Sequence, residues 1–192
     1  MYAATADPYC YPGTTVLKNR RGLRDTAALE AFETVMTAQA SDEPLPKGRL
    51  SLAHYCAVHR HLFGAIYPWA GRYRKVRLSK GRSAFCYPEN IAKQMRKLFG
   101  DLRKANYLRG LGIDGFSKAA AHFLAELNAI HPFREGNGRA QLIFLILIAR
   151  QAGFRLDLEK LNPQRFLAKM IKSFSGQEGP LQKELRRLVV VN

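Results

Sequence analysis

His131-Pro132-Phe133-Arg134-Glu135-Gly136-Asn137-Gly138-Arg139 separates two helical patterns and carries the densest set of reactive groups in the chain. Before it, Phe116, Ala120, Phe123, Leu124, Leu127 and Ile130 recur at steps of three and four, the spacing of one buried helical face. After it, Leu142 to Ala149 is an unbroken apolar run, which predicts a helix buried on nearly every side. The rest of the chain reads as scaffold for this loop.

Each residue type in the loop suits phosphate chemistry. Gly136 and Gly138 can take backbone angles closed to other residues, turning successive N–H groups toward one point and leaving no side chain in the way of an anion. The loop runs into a helix N-terminus, where unpaired N–H groups and the positive dipole end favour negative charge. Arg139 adds a planar fork that can grip two phosphate oxygens. Glu135 is an oxygen ligand for a hard cation such as magnesium, and His131, with an unperturbed pKa near about 6.5, can accept a proton at neutral pH. Taken singly, the histidine could cap a helix, the glutamate could be solvated and the glycines could make a tight turn. Their joint order predicts a phosphate cradle with a base beside it.

The chain has 192 residues, 47% of them hydrophobic, enough for one domain with a real core over residues 1–192. No basic N-terminal region precedes an apolar stretch, and the longest apolar run is about half the length that crosses a bilayer. A cytoplasmic protein without membrane contact is expected. Cys10, Cys56 and Cys86 are odd in number and lack metal-ligand spacing, so they read as reduced thiols. Lys and Arg total 31 against 15 Asp and Glu, a net charge of +16 that attracts polyanions. The densest basic segment, Arg72, Arg74, Lys75, Arg77, Lys80 and Arg82, is read as a solvated face. No zinc-finger, KH or RRM pattern accompanies it, and direct nucleic-acid binding is not expected.

Residues 1–24, rich in Tyr, Pro, Gly and Arg, predict an irregular arm over the core. Asp25 can cap a helix with Leu29, Phe32, Val35 and Met36 on its face, and Ser51 can cap the next, with Leu52, Tyr55, Cys56, His59, Leu62, Phe63 and Ile66 on one stripe. His54, His59 and His61, five and two residues apart, do not share a helix face and read as packing or surface residues. Residues 72–87 predict a β-hairpin, with Tyr73, Val76 and Leu78 in one strand and Ala84, Phe85 and Tyr87 in the other. Pro88 opens an amphipathic helix through Leu102, and Gly153 stops the helix after the loop. Asn162-Pro163 opens another helix, and a last one starts near Leu181.

The loop closely resembles the signature of the Fic (filamentation induced by cAMP) family: a histidine, x, Phe, x, Asp or Glu, Gly-Asn-Gly-Arg, two residues and a second Arg. At the second arginine this chain has Leu142. Tyr11 to Asn19 and Leu62 to Gly71 resemble other stretches of the family. The resemblance implies an all-α, Fic-type helical domain in which the 72–87 hairpin is a flap beside the active-site loop. It implies transfer of AMP from ATP to a hydroxyl of a target protein, with His131 as the base and Glu135 holding Mg2+. Phe133, Gly136, Asn137, Gly138 and Arg139 would serve nucleotide and phosphate binding, and Lys80 and Gly81 would border the nucleotide.

The same resemblance implies partners: a target protein docked along the flap, with type II topoisomerase subunits as family examples, and a small antitoxin carrying an inhibitory helix. The helix pattern, Ser or Thr, three residues, then Glu and Gly or Asn, has no complete match in this chain. Glu89-Asn90 and Glu178-Gly179 follow Phe85 and Phe174 where the hydroxyl belongs. A toxin restrained in trans is therefore expected. The alternatives are a kinase reaction like that of the Doc relatives, use of another nucleotide, or a weakly active nucleotide-binding module, the last two because leucine cannot donate to an anion.

Overall fold

The computed structural model describes residues 7–80 and 83–191, apart from the Lys80 and Ser83 side chains. Caps written into the sequence start several helices. Asp25 accepts the Ala28 N–H at 2.8 Å and opens α1 (Thr26–Asp42), and Ser51 accepts the His54 N–H at 3.2 Å and opens α2 (Leu52–Phe63). Then come β1 (Ser79–Lys80), β2 (Ser83–Ala84), α3 (Pro88–Lys104), α4 (Ile113–Ile130), α5 (Asn137–Gln151) and β3 (Phe154–Leu156). Asn162 caps α6 (Pro163–Phe174) on the Arg165 N–H at 2.8 Å, followed by α7 (Gly179–Leu188) and β4 (Val189–Val191). The fold is mostly helical, with a small antiparallel hairpin. Among the described residues no helix is long and apolar enough to cross a membrane.

The chain forms two compact units. The first comprises the chain up to Ala92 together with His131–Ala140. Here α1 packs on α2, and Tyr55, Val58, Leu62 and Phe63 of α2 are fully enclosed. The arm lies on this core as an irregular strap. Its Val16 and Leu17 are buried, and Arg20 fastens it by donating its backbone N–H to the Ile66 carbonyl and its Nε–H to the Gly64 carbonyl, both at 2.8 Å. The inward face of α1 differs from the apolar stripe predicted for it. Leu29 and Thr37 are buried while Val35 is 54% exposed. The side facing the core thus includes polar positions at helical spacing, which an apolar count passes over.

The hairpin is shorter than predicted. Its ladder pairs only Ser79 with Ala84 and Lys80 with Ser83, extended by the Phe85 N–H donating to the Leu78 carbonyl at 3.0 Å. Arg72–Leu78 is irregular because Arg74, read from the sequence as part of a solvated basic face, is 2% exposed. Its guanidinium takes up the carbonyls of Val76 and Cys86, both at 2.6 Å, which a longer strand pairing would need. Arg72, Lys75 and Arg77 do face solvent.

The second unit comprises Lys93–Ile130 and the chain from Gln141 onward. Packing of α4 against α6, α7 and β4 centres on Phe116, Leu124, Leu127, Leu181, Leu185 and Leu188. An antiparallel pair that the sequence did not predict, β3 with β4, sets Phe154 opposite Val191 and Leu156 opposite Val189. The apolar run of α5 is not buried all round. Phe144, Leu145, Ile148 and Ala149 are enclosed, whereas Leu142, Ile143, Ile146 and Leu147 are only half-buried. An apolar run shows what a helix tolerates and not how many of its sides have neighbours.

Candidate active site

The motif loop is held in shape by side chains that reach its backbone. As α4 ends, His131 turns the chain with φ of 48°, unusual for a residue other than glycine. Arg74 secures that turn: its backbone N–H donates to the Pro132 carbonyl at 2.9 Å and its Nε–H to the His131 carbonyl at 2.8 Å. The His131 ring stacks on Phe85 with centroids 3.9 Å apart and is half-buried beside the hairpin.

Asn137 closes the loop. Its Oδ1 accepts the Phe133 N–H and its Nδ2 donates to the Phe133 carbonyl, both at 2.9 Å, and it is 3% exposed. The Asn137 side chain thus shapes the loop, and its backbone stands at the start of α5. Phe133, placed with the nucleotide contacts, is fully buried. It lies against His59 at 3.7 Å and Tyr55 at 5.4 Å between ring centroids and anchors the loop in the core. Arg134 is buried too, paired with Asp7 of the arm at 2.7 Å.

The two glycines differ. Gly136 has φ of +80°, and a Cβ there would come within 2.4 Å of the Phe63 ring, so both backbone angle and space require glycine. Gly138 lies within α5, is exposed, and has no atom within 4 Å of where a Cβ would stand. It leaves the helix N-terminus unobstructed. Glu135 is half-exposed, and its Oε1 accepts the Gly136 N–H at 2.8 Å. One carboxylate at the mouth of an N–H cradle suits magnesium, which completes its shell with water and substrate phosphate.

Arg139 rests its guanidinium over the Phe63 ring, 4.7 Å from the centroid, and pairs through one terminal nitrogen with Glu33 of α1. Its other terminal nitrogen reaches Thr37 Oγ1 at 3.4 Å, and Glu135 lies 3.8 Å from the nitrogen that Glu33 holds. Glu33 in turn accepts the Tyr67 hydroxyl. Burial, that hydrogen bond and the neighbouring charges of Glu33 and Glu135 raise the Tyr67 pKa far above its usual value, against a smaller opposing pull from Arg139, so the phenol stays a donor.

His59 spans the loop from beneath, with Nε2 2.9 Å from the Glu135 carbonyl and Nδ1 accepting the Gly71 N–H at 2.9 Å. Burial lowers its pKa from 6.5 to about 4, outweighing the carbonyl bond that favours charge, and Arg139 lowers it a little further. The ring is neutral at pH 7, as accepting at one nitrogen and donating at the other requires. His54 and His61 likewise bind backbone carbonyls, of Pro46 at 2.6 Å and Ala40 at 2.7 Å. Gly81 and the Lys80 side chain lie outside the described residues.

His131, Glu135, Gly136, Asn137, Gly138 and Arg139 thus share one loop and the first turn of α5. Sequence reasoning missed Arg74, Glu33, Tyr67 and Asp7. The only signal for Glu33 was its spacing of four from Leu29 and Thr37, and arginine in a basic run gave none for Arg74.

The chain is thus a mostly helical protein with a glycine-bearing turn between two helices, a histidine before the turn and an arginine after it. The chain belongs to the Fic/DOC family, whose model matches residues 49–149. It is 50% identical over 189 residues to the probable protein adenylyltransferase y4lH of Sinorhizobium fredii, covering 98% of both chains. It is 35% identical to the protein adenylyltransferase VbhT of Bartonella schoenbuchensis, over 97% of this chain and 40% of that one. Among solved structures, the BepC protein of Bartonella tribocorum with bound AMPPNP superposes with a TM-score of 0.86 at 25% identity, covering 96% of this chain and 97% of that one.

Proposed function

We propose that this chain is a protein adenylyltransferase, a nucleotidyltransferase that moves AMP from ATP to a hydroxyl side chain of another protein. The observation that carries this reading is the loop itself, with His131 at its start and an unobstructed helix N-terminus and Arg139 at its end. The names of the relatives, y4lH and VbhT, support it.

In this reaction the target hydroxyl oxygen forms a bond to the α-phosphorus as the bond from that phosphorus to the pyrophosphate oxygen breaks. His131 takes the hydroxyl proton. The N–H groups of Gly136, Asn137 and Gly138 are assigned to the phosphate oxygens, the first of them once Glu135 Oε1 releases it, and Arg139 balances charge building on the leaving pyrophosphate. Glu135 is the residue that would hold Mg2+, which when bound neutralises phosphate charge. Lys80 and Gly81 are assigned to the nucleotide border. The hairpin edge is assigned to the target, which would add an extended segment to it. A bacterial cytoplasmic toxin restrained by a separate antitoxin is the biological setting proposed, with type II topoisomerase subunits as the target class.

Leu142, half-buried in the first turns of α5, favours a second reading in which the terminal phosphate is held weakly or another nucleotide is preferred. Incubating the protein and His131→Ala with bacterial lysate, Mg2+ and ATP labelled at the α- or the γ-phosphate decides between them. Label from the α-position alone, lost in the variant, is expected. Transfer from the γ-position would make the chain a kinase. If neither label transfers, recovery of α-labelling in Leu142→Arg identifies a site weakened at that position, and failure there together with failure of other nucleotides overturns the reading.

A further inference from the structure

We infer that Glu33 of α1 is a positioning residue for Arg139, setting the angle at which the arginine meets phosphate and keeping it off the Glu135 carboxylate. The inference rests on the reading that phosphate binds at the loop, and it adds to that reading a residue more than one hundred positions away in the chain.

A guanidinium has five N–H donors in a rigid plane. Glu33 takes one at the first terminal nitrogen, Thr37 one at the second, and Phe63 supports the flat face. The Arg139 side chain is nevertheless 41% exposed and is not enclosed by these contacts. Glu33 is suited to fix it. Its side chain is only 14% exposed, and both of its oxygens are engaged, one by Arg139 and the other by Tyr67. Thr37 is itself tied to α1 by donating to the Glu33 carbonyl at 2.8 Å. The arrangement is a socket built on one helix face.

The alternative partner is close. Glu135 precedes Arg139 by four residues and already lies 3.8 Å from the same nitrogen that Glu33 holds. With Glu33 removed, the arginine would swing onto Glu135 and occupy the carboxylate assigned to the cation. Leu142 gives the position added weight. It stands where the family signature has a second arginine, so Arg139 is the one guanidinium this chain keeps at the two arginine positions of that signature.

The test is a double-mutant cycle of Glu33→Ala and Arg139→Ala, read by ATP binding in calorimetry, by the Mg2+ concentration giving half-maximal labelling, and by the Arg139 side-chain N–H signals in NMR. Glu33→Ala is expected to weaken ATP binding about tenfold, raise the Mg2+ requirement and set the guanidinium rotating freely. It should add nothing in the Arg139→Ala background. Tyr67→Phe, which leaves the carboxylate in place, should move all three readouts the same way by about threefold and serves if Glu33→Ala does not fold. Unchanged or tighter ATP binding with an unchanged Arg139 signal in Glu33→Ala, or effects that multiply independently in the cycle, would overturn the inference. Wild-type protein that binds ATP but labels nothing would defeat the transfer reading alone, since the binding cycle still reports on Glu33. Wild-type protein that binds no nucleotide would remove both.

Discussion

In the loop from His131 to Arg139, side chains hold backbone: the Arg74 guanidinium takes the His131 carbonyl, Asn137 spans both polar groups of Phe133, and His59 reaches the Glu135 carbonyl. In the second unit rings meet rings. Phe99 lies 5.7 Å from Phe123 and 5.6 Å from Phe144, and Phe116 packs 4.8 Å from Phe154. The difference follows from what each region has to bury. Helices satisfy their own backbone and need only an apolar partner, whereas an irregular loop carries unpaired N–H and C=O groups into the core and must meet a side chain for each. A loop built this way is specified in geometry, which suits chemistry; packed helices tolerate rearrangement at roughly constant volume.

The contrast can be broken most severely at Arg74. Arg74→Met keeps the volume and leaves the carbonyls of His131, Val76 and Cys86 without this donor, and about 3–5 kcal/mol of stability should be lost in urea unfolding. A loss under about 1 kcal/mol would show that water replaces the guanidinium and that the loop is not held as described. In the second unit, Leu124→Ala should cost about 3 kcal/mol through its cavity, while the ATP affinity of the folded protein stays the same. Nucleotide binding that falls with it would contradict a loop whose shape is set locally.

The same contrast predicts a pH response at His59, beneath the loop. His59 is neutral when folded, with pKa about 4, and binds a proton near 6.5 when unfolded. Its stabilising contribution is complete above pH 6.5, falls by about 1.4 kcal/mol per unit as pH drops toward 4, and is gone below that, a total of about 3 kcal/mol. His59→Gln should flatten the stability curve across this window, and an undiminished slope in that variant would assign the response elsewhere. The smallest effect is expected at a helix end. Asp25→Ala removes the α1 cap and should cost about 1 kcal/mol, with no change in ATP affinity unless α1 frays as far as Glu33.

Much of the fold was legible because it rests on local rules. Asp25, Ser51 and Asn162 announced their helices, and the spacing of Phe116 through Ile130 announced α4. The loop was legible as an ordered string. What escaped depends on contacts distant in sequence. Nothing near Arg74 tells that its donors meet carbonyls from residues 76 to 131, and for that reason the hairpin was drawn too long. The pairing of Phe154–Leu156 with Val189–Val191 joins segments more than thirty residues apart, and three-residue strands carry little pattern. Phe133 and Asn137 were read for what motif residues do to a ligand; that their side chains also brace the loop rests on contacts the string does not display.

Phe63 links two positions that otherwise look independent. Its ring occupies the space a Cβ at Gly136 would need, and it is also the surface beneath Arg139. A smaller residue at 63 would free that space but not relieve the positive φ that still calls for glycine at 136, and it would withdraw the arginine's support. Losing the ring at 63 should therefore be felt at Arg139 first, with position 136 still held to glycine by its backbone.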